Sequence, residues 1–300
     1  MRDWRKYLDP RALSRIGRLE LKARLIVEGY IAGLHRSPYH GFSVEFAQHR
    51  EYAPGDDIRH VDWKVYGRSD RFYVKEYEEE TNMRVYLLLD VSESMDYGPP
   101  GGLTKAAYGR HVAAALTFLA LRQQDAVGLT LFDDRVRTMI PPGGTRGQLQ
   151  TVVSALEDVA PARPTALGDV LAQTASDIRR KSLVVVISDV FDDLDAVQTG
   201  LRRLRHRGNE VILMHVLAED ELVFPFTRMT RFEGLEGTGE ALVEPSDLRK
   251  AYLAEIANFT AQVRRRCRQD RTDYVLLSTA QTFDVPLATF LAARARSRAR

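Results

Sequence analysis

The stretch Tyr86-Leu-Leu-Leu-Asp90-Val-Ser92-Glu-Ser94-Met95 decides how the chain is read. Its apolar run reads as a strand buried on both faces, as in a parallel sheet. The run stops at an acid, and two hydroxyls follow at alternate positions. Asp90 is therefore expected at the carboxyl end of a strand, the edge where open α/β sheets place their ligands. In an extended or turning segment, residues i and i+2 tend to point the same way, so Asp90, Ser92 and Ser94 can converge on one point at a solvent-facing rim. One carboxylate and two hydroxyls are hard oxygen donors, suited to a magnesium ion that keeps several waters.

Downstream the pattern alternates. Thr104 is placed to cap a helix running to Arg122. Ala126 to Phe132 and Val136 to Ile140 read as strands joined by Asp133-Asp134 in a hairpin. Helices follow, one ending near Val159 and another over roughly Ala166 to Arg180. Leu183 to Ser188 is a second apolar strand, and it too ends in an acid, Asp189. A helix over Asp195 to Arg207, a strand over Val211 to Leu217 and a hairpin over Thr230 to Val243 come next. Ser246 is expected to cap a long helix to Arg268, before a last strand at Tyr274 to Ser278 and a last helix at Asp284 to Arg296. Such alternation predicts an α/β fold with a doubly wound, mostly parallel, Rossmann-like sheet.

Asp90 and Asp189 would then share one rim. Between them, Thr165 stands at the entrance to the helix that leads into the Asp189 strand, and a right-handed crossover can bring it to the same edge. Taken singly, Thr165 reads as a helix cap and Asp189 as a turn former. Taken together, Asp90, Ser92, Ser94, Thr165 and Asp189 make an all-oxygen set for magnesium, with manganese as the alternative.

Upstream the character differs. Pro10 to Leu34 has helical apolar spacing, expected to pack on the outside of the main body. Arg36 to Asn82 is punctuated by Pro38, Gly41, Pro54, Gly55 and Gly67 and carries short alternating runs, so it reads as a small β-rich lobe. Residues 1–82 are thus expected to form a helix and lobe packed on the main domain. Residues 83–300 form that domain, with a C-terminal extension and a hairpin near 230–243. The histidines at 35, 40, 49 and 60 lack compact zinc-ligand spacing.

The 43 basic and 41 acidic residues balance to a net charge of +2, which gives no reason to expect a nucleic-acid partner. Basic clusters at Arg202 to Arg207, Arg264 to Arg268 and Arg294 to Arg300 read as solvated helix faces. Cys267 is the single cysteine, so no intrachain disulfide forms and a reducing compartment, the cytoplasm, fits. The basic N-terminus lacks the apolar core of a signal peptide, and the longest apolar stretch, Val112 to Leu121, is too short to span a bilayer.

The order Asp90-x-Ser92-x-Ser94, Thr165, Asp189 resembles the metal-ion-dependent adhesion site of von Willebrand factor A domains. In that family an Asp and two Ser on a first loop, a Thr on a second and an Asp on a third surround one magnesium ion. Two departures stand out. The family's Thr often follows two glycines, where Arg163 and Pro164 stand here, and its third acid is often followed by Gly, where Val190 stands here. The stretches Arg50-Glu51-Tyr52-Ala-Pro54-Gly55-Asp56-Asp57-Ile58-Arg59, Asp62-Trp63 and Lys75-Glu76-Tyr77-Glu78-Glu79-Glu80 look like a bacterial domain-of-unknown-function family, number fifty-eight. That resemblance implies work as an adaptor or chaperone component beside a MoxR-type AAA+ ATPase. Read from its residues alone, the stretch from Arg50 to Asp62 is a turn with an ion-pair network.

Enzyme readings fit less well. Ser92 replaces the second acid of an Asp-x-Asp phosphatase motif, Ser94 lies in no nucleophile elbow, and no phosphate-binding glycine loop has the right spacing. The expectation is a non-enzymatic, metal-dependent protein-interaction module without stable membrane insertion. Its partner, the ATPase or a client protein, supplies an Asp or Glu to the metal. The alternative is a metal-dependent phosphohydrolase using Asp90 and Asp189.

Overall fold

A computed structural model describes residues 23–27, 49–51, 73–75, 83–145, 147–233 and 239–298. The chain divides into two compact units, residues 34–81 and the remainder. In the smaller unit β1 (His49–Glu51) pairs antiparallel with β2 (Tyr73–Lys75). The proposed ion-pair network from Arg50 to Asp62 lies outside the described residues beyond Glu51, as do most of the lobe's apolar residues. Of the helix expected over Pro10 to Leu34, residues 23–27 are described. They are helical, and Ala23, Ile26 and Val27 are buried in the core of the larger unit.

That unit is built on six strands. β3 (Arg84–Asp90), β4 (Ala126–Phe132), β5 (Val136–Gly143), β6 (Leu183–Ser188), β7 (Glu210–Leu217) and β10 (Asp273–Ser278) line up in the order β10-β7-β6-β3-β4-β5. All neighbours are parallel except β5, which returns antiparallel on β4 as the hairpin reading expects. The sheet is doubly wound: the chain steps outward from β3 to β4 and β5, then crosses back to lay β6 on the other side of β3. The strand order therefore reverses at β3 and β6, and the crevice outside their carboxyl ends is the place where such sheets bind ligands.

Alternation along the central strands feeds two layers. Leu87 and Leu89 of β3 and Val185 and Ile187 of β6 join one core, while Leu88, Val184 and Val186 join the other. The first is covered by α1 (Lys105–Arg122), α2 (Gln148–Asp158) and a later helix from Asp284. The second is covered by α3 (Leu167–Asp177) and α4 (Leu194–His206). These two helices approach closely at paired glycines: a Cβ on Gly168 would meet Ala196 Cβ at 2.6 Å, and one on Gly200 would meet Leu171 Cβ at 2.5 Å. This packing fixes the start of α3, and so the loop that holds Thr165.

Thr104 caps α1 as expected, accepting from Ala107 N–H at 3.1 Å. After β7 comes a one-turn helix the sequence did not suggest, α5 (Glu219–Val223). The hairpin β8 (Thr230–Glu233) and β9 (Glu240–Val243) forms a separate two-stranded sheet. In α6 (Pro245–Gln269) the cap position is Glu244 rather than Ser246. Pro245 takes the first helical position because its missing N–H would have been unpaired there, and its φ is already helical. α7 (Asp284–Arg298) follows β10. Among the described residues, no helix is long and apolar enough to cross a membrane.

Candidate metal centre

Three loops meet at the carboxyl edge of β3 and β6. The first leaves Asp90 and turns into a short 3-10 segment at Glu93–Asp96. The second, before α3, is stitched to it by two backbone bonds, Glu93 N–H to Arg163 O at 2.8 Å and Ala162 N–H to Val91 O at 3.0 Å. The third, after β6, is tied to the second by Gly168 N–H donating to Asp192 Oδ2 at 3.0 Å. Non-local pairing, not local sequence, brings the three together.

Asp90 is the hub. Its Oδ1 accepts from Ser92 N–H at 3.0 Å. Its Oδ2 accepts from Thr165 Oγ1 at 3.1 Å and from Ser188 Oγ at 2.7 Å. The Ser92 and Ser94 hydroxyls lie 3.2 Å apart. Of the five residues singled out in the sequence, Asp90, Ser92, Ser94 and Thr165 are thus joined in one hydrogen-bonded cluster. Thr165 does not cap α3, whose cap position is Ala166. The serines are not solvent-facing as expected: Ser92 is 0% and Ser94 8% exposed, in a loop bonded through its backbone to the second loop.

Asp189, the fifth, is also fully buried, and its Oδ2 is taken by the ammonium of Lys105 at 2.8 Å. Lys105 reaches on to Glu221 Oε1 on α5 at 2.7 Å, and Glu221 Oε2 accepts from Ala218 N–H at 2.7 Å. Burial alone would pull the Lys105 ammonium down, but Asp189 and Glu221 outweigh it and raise its pKa. Burial, then the nearby Asp189 charge, push the Asp90 carboxyl up to about 7 against the pull of its hydroxyl and amide donors. His215, behind Asp189 on β7, is pushed down to about 4 by burial and stays neutral at pH 7.

The second and third loops keep left-handed backbone without glycine. Arg163 has φ 64° and Val190 φ 60°. These are the two places where the sequence departs from the glycines of the von Willebrand factor A pattern. A side chain in this region is strained by about 1–3 kcal/mol, most for a β-branched residue such as Val190. The surrounding bonds hold it there: Val190 N–H donates to Ser188 Oγ at 2.9 Å, and Asp192 N–H to Val190 O at 2.8 Å.

The donor set fits a hard dication. Among the described residues, no group of three His, Cys, Asp or Glu side chains comes together to hold an ion. The rim instead combines two carboxylates with hydroxyls, oxygen chemistry that suits magnesium and not zinc. Among the described residues, Asp90, Asp189 and Glu221 set three carboxyl groups against the buried Lys105 ammonium. Asp90 answers that crowding by keeping a proton up to about 7, and a cation beside it would favour its ionised form instead.

Three participants escaped the sequence reading. Ser188 ends the very strand that marks Asp189, one residue earlier. Lys105 carried a signal, since a cation at the first position of a helix opposes the helix dipole. Glu221 lies after the next parallel strand, whose carboxyl end faces the same rim.

The family model described as "Protein of unknown function DUF58" matches residues 48–262. The uncharacterized protein Rv1480 of Mycobacterium tuberculosis is 26% identical over 294 residues, covering 96% of this chain and 91% of that protein. Among solved structures, BatB from Bacteroides thetaiotaomicron is similar at a TM-score of 0.49 and 15% identity, over 73% of this chain and all of that one. The SpRpn10 VWA domain is similar at a TM-score of 0.38 and 14% identity, over 69% of this chain and 94% of that one.

Proposed function

The chain belongs to the DUF58 family, and from that premise we propose that it is a magnesium-dependent protein-interaction module. The observation that carries the reading is the convergence of Asp90, Ser92, Ser94 and Thr165, from two loops, on one anionic point at the reversal of strand order. Asp90 would hold the ion, and the hydroxyls of Ser92, Ser94 and Thr165 would add neutral oxygen ligands. A magnesium ion held by these residues would supply a Lewis-acidic point able to attract a carboxylate. The rim residues hold Asp90 in place and keep bulk water from its inner oxygens. The partner's Asp or Glu is the docking group. Manganese is the expected substitute ion.

The family resemblance makes a MoxR-type AAA+ ATPase the first partner to test, in the cytoplasm where its ATP is. Calorimetric titration of magnesium into wild type and Asp90→Ala tests the site. Equal affinities would remove Asp90 from it. Capture of the cognate ATPase with and without chelator tests the docking. Turnover of a generic phosphoester by wild type, abolished in Asp90→Ala, would instead identify a metal-dependent phosphohydrolase.

A further inference from the structure

We propose that Lys105 is a tethered counter-cation for the metal centre, which occupies Asp189 and so sets how tightly a divalent ion is held beside Asp90. The inference rests on the metal reading of the rim, but concerns a residue that reading leaves unused.

The placement of Lys105 has no local rationale. It is the first residue of the eighteen-residue α1, whose first turn holds no acid. A cation there faces the positive end of the helix dipole. The side chain is nonetheless 1% exposed, between the rings of Phe191 and Tyr97, whose centroids lie 4.8 and 5.9 Å from its Nζ. An ammonium is buried in this way only when paired, and two carboxylates meet it.

The two rim acids differ in what holds them. Asp90 is held by hydroxyls and an amide. A hydroxyl rotates and can turn a lone pair to an ion while still donating elsewhere. Asp189 is held by an ammonium, which has three donors and no lone pair. An ion that takes Asp189 Oδ2 must displace Lys105 and leave that charge buried, and one at Oδ1, which accepts from Phe191 N–H at 3.4 Å, meets a carboxylate whose charge the ammonium already offsets. With the lysine in place, Asp189 acts on the ion through its charge, already largely cancelled, while Asp90 and the hydroxyls do the ligating. Glu221 shares the ammonium, so it partly releases Asp189.

The test is calorimetric titration of magnesium into the chelator-stripped full chain, for wild type, Lys105→Met and Glu221→Gln. Lys105→Met should bind magnesium at least about tenfold tighter, since two uncancelled carboxylates attract the ion. Its melting temperature in chelator should fall, and magnesium should raise it by more than in wild type. Glu221→Gln should bind severalfold more weakly, because the ammonium then serves Asp189 alone. Opposite shifts separate this role from a structural one, which would weaken both. If Lys105→Met does not fold, Glu221→Gln decides, and equal or tighter binding there overturns the proposal. If wild type binds magnesium and Lys105→Met binds no tighter, the lysine inference alone fails. If only Lys105→Met binds, the lysine role stands and the magnesium-dependent module does not. If neither binds, both fail.

Discussion

Two buried aspartates sit at opposite edges of the same parallel sheet. Asp125 precedes β4 at its amino end, and Asp90 finishes β3 at its carboxyl end. Both are 0% exposed. Asp125 is closed off by one cation: Arg294 of α7 donates through Nε to Oδ2 and through Nη2 to Oδ1 at 2.9 Å, and Met83 N–H adds a bond at 3.3 Å. Arg294 also reaches Gln123 O, so the pair locks the last helix to the start of β4. Charge and hydrogen bonds cancel there, leaving nothing for a ligand. Among the described residues, Asp90 meets neutral donors and no cation, and it lies beside a second carboxylate. A matched bidentate pair is a fastening. Crowded buried carboxyl groups held by donors that can rotate away are what a candidate cation site requires.

The largest effect should come from breaking the fastening. Asp125→Ala strands Arg294 in the interior and should cost about 3–5 kcal/mol in denaturant unfolding. The loss should be the same in magnesium and in chelator, and a magnesium-dependent loss would mean that the two regions are not independent.

Asp90→Asn should do the opposite. It should abolish magnesium binding yet raise stability in chelator at pH 8, by at most roughly 4 kcal/mol. The sign follows from the shift. Unfolded, Asp90 titrates near its ordinary 3.8, whereas folded it titrates near 7. Between those values the native state keeps a proton that the unfolded chain has lost, so stability falls as pH rises from about 4 to about 7. Unfolding of both proteins across that range in chelator should show this slope in wild type and a shallower one in Asp90→Asn, where Glu221 and the other raised carboxyls still contribute.

Smaller effects probe the strained loops. Arg163 is half exposed, and its partner Asp134 is exposed too, so their ion pair is weak. Arg163→Gly relieves the left-handed strain and should stabilise by about 1 kcal/mol. Val190→Gly should give no such gain, because Val190 is fully buried and its side chain contributes about 1.5–3 kcal/mol by burial. Thermal melts of the two variants side by side would reverse this account if Val190→Gly were the more stable.

The smallest stability change is expected for Ser92 and Ser94 replaced together by alanine. Their hydroxyls pair with each other, so what is lost to the rest of the protein is the Ser92 hydroxyl's bond to Asp90, and stability in chelator should move by about 1 kcal/mol or less. Magnesium affinity should nonetheless fall more than about tenfold. Unchanged affinity would remove both serines from the site.

Local sequence was enough to mark Asp90 and Asp189 at the ends of apolar runs, Ser92 and Ser94 at alternate positions after Asp90, and Thr165 at the entrance to a helix. It also determined the doubly wound sheet, since period and length separate buried strands from amphipathic helices. It could not tell that Thr165 bonds Asp90 rather than capping its helix, nor that Arg163 and Val190 hold a glycine's backbone. Both depend on bonds between loops far apart in the chain. Above all it could not show that Lys105 meets Asp189, eighty-four residues away, and Glu221, one hundred and sixteen away. Which charges cancel in a buried site is set by distance in space, and only the tertiary fold supplies that distance.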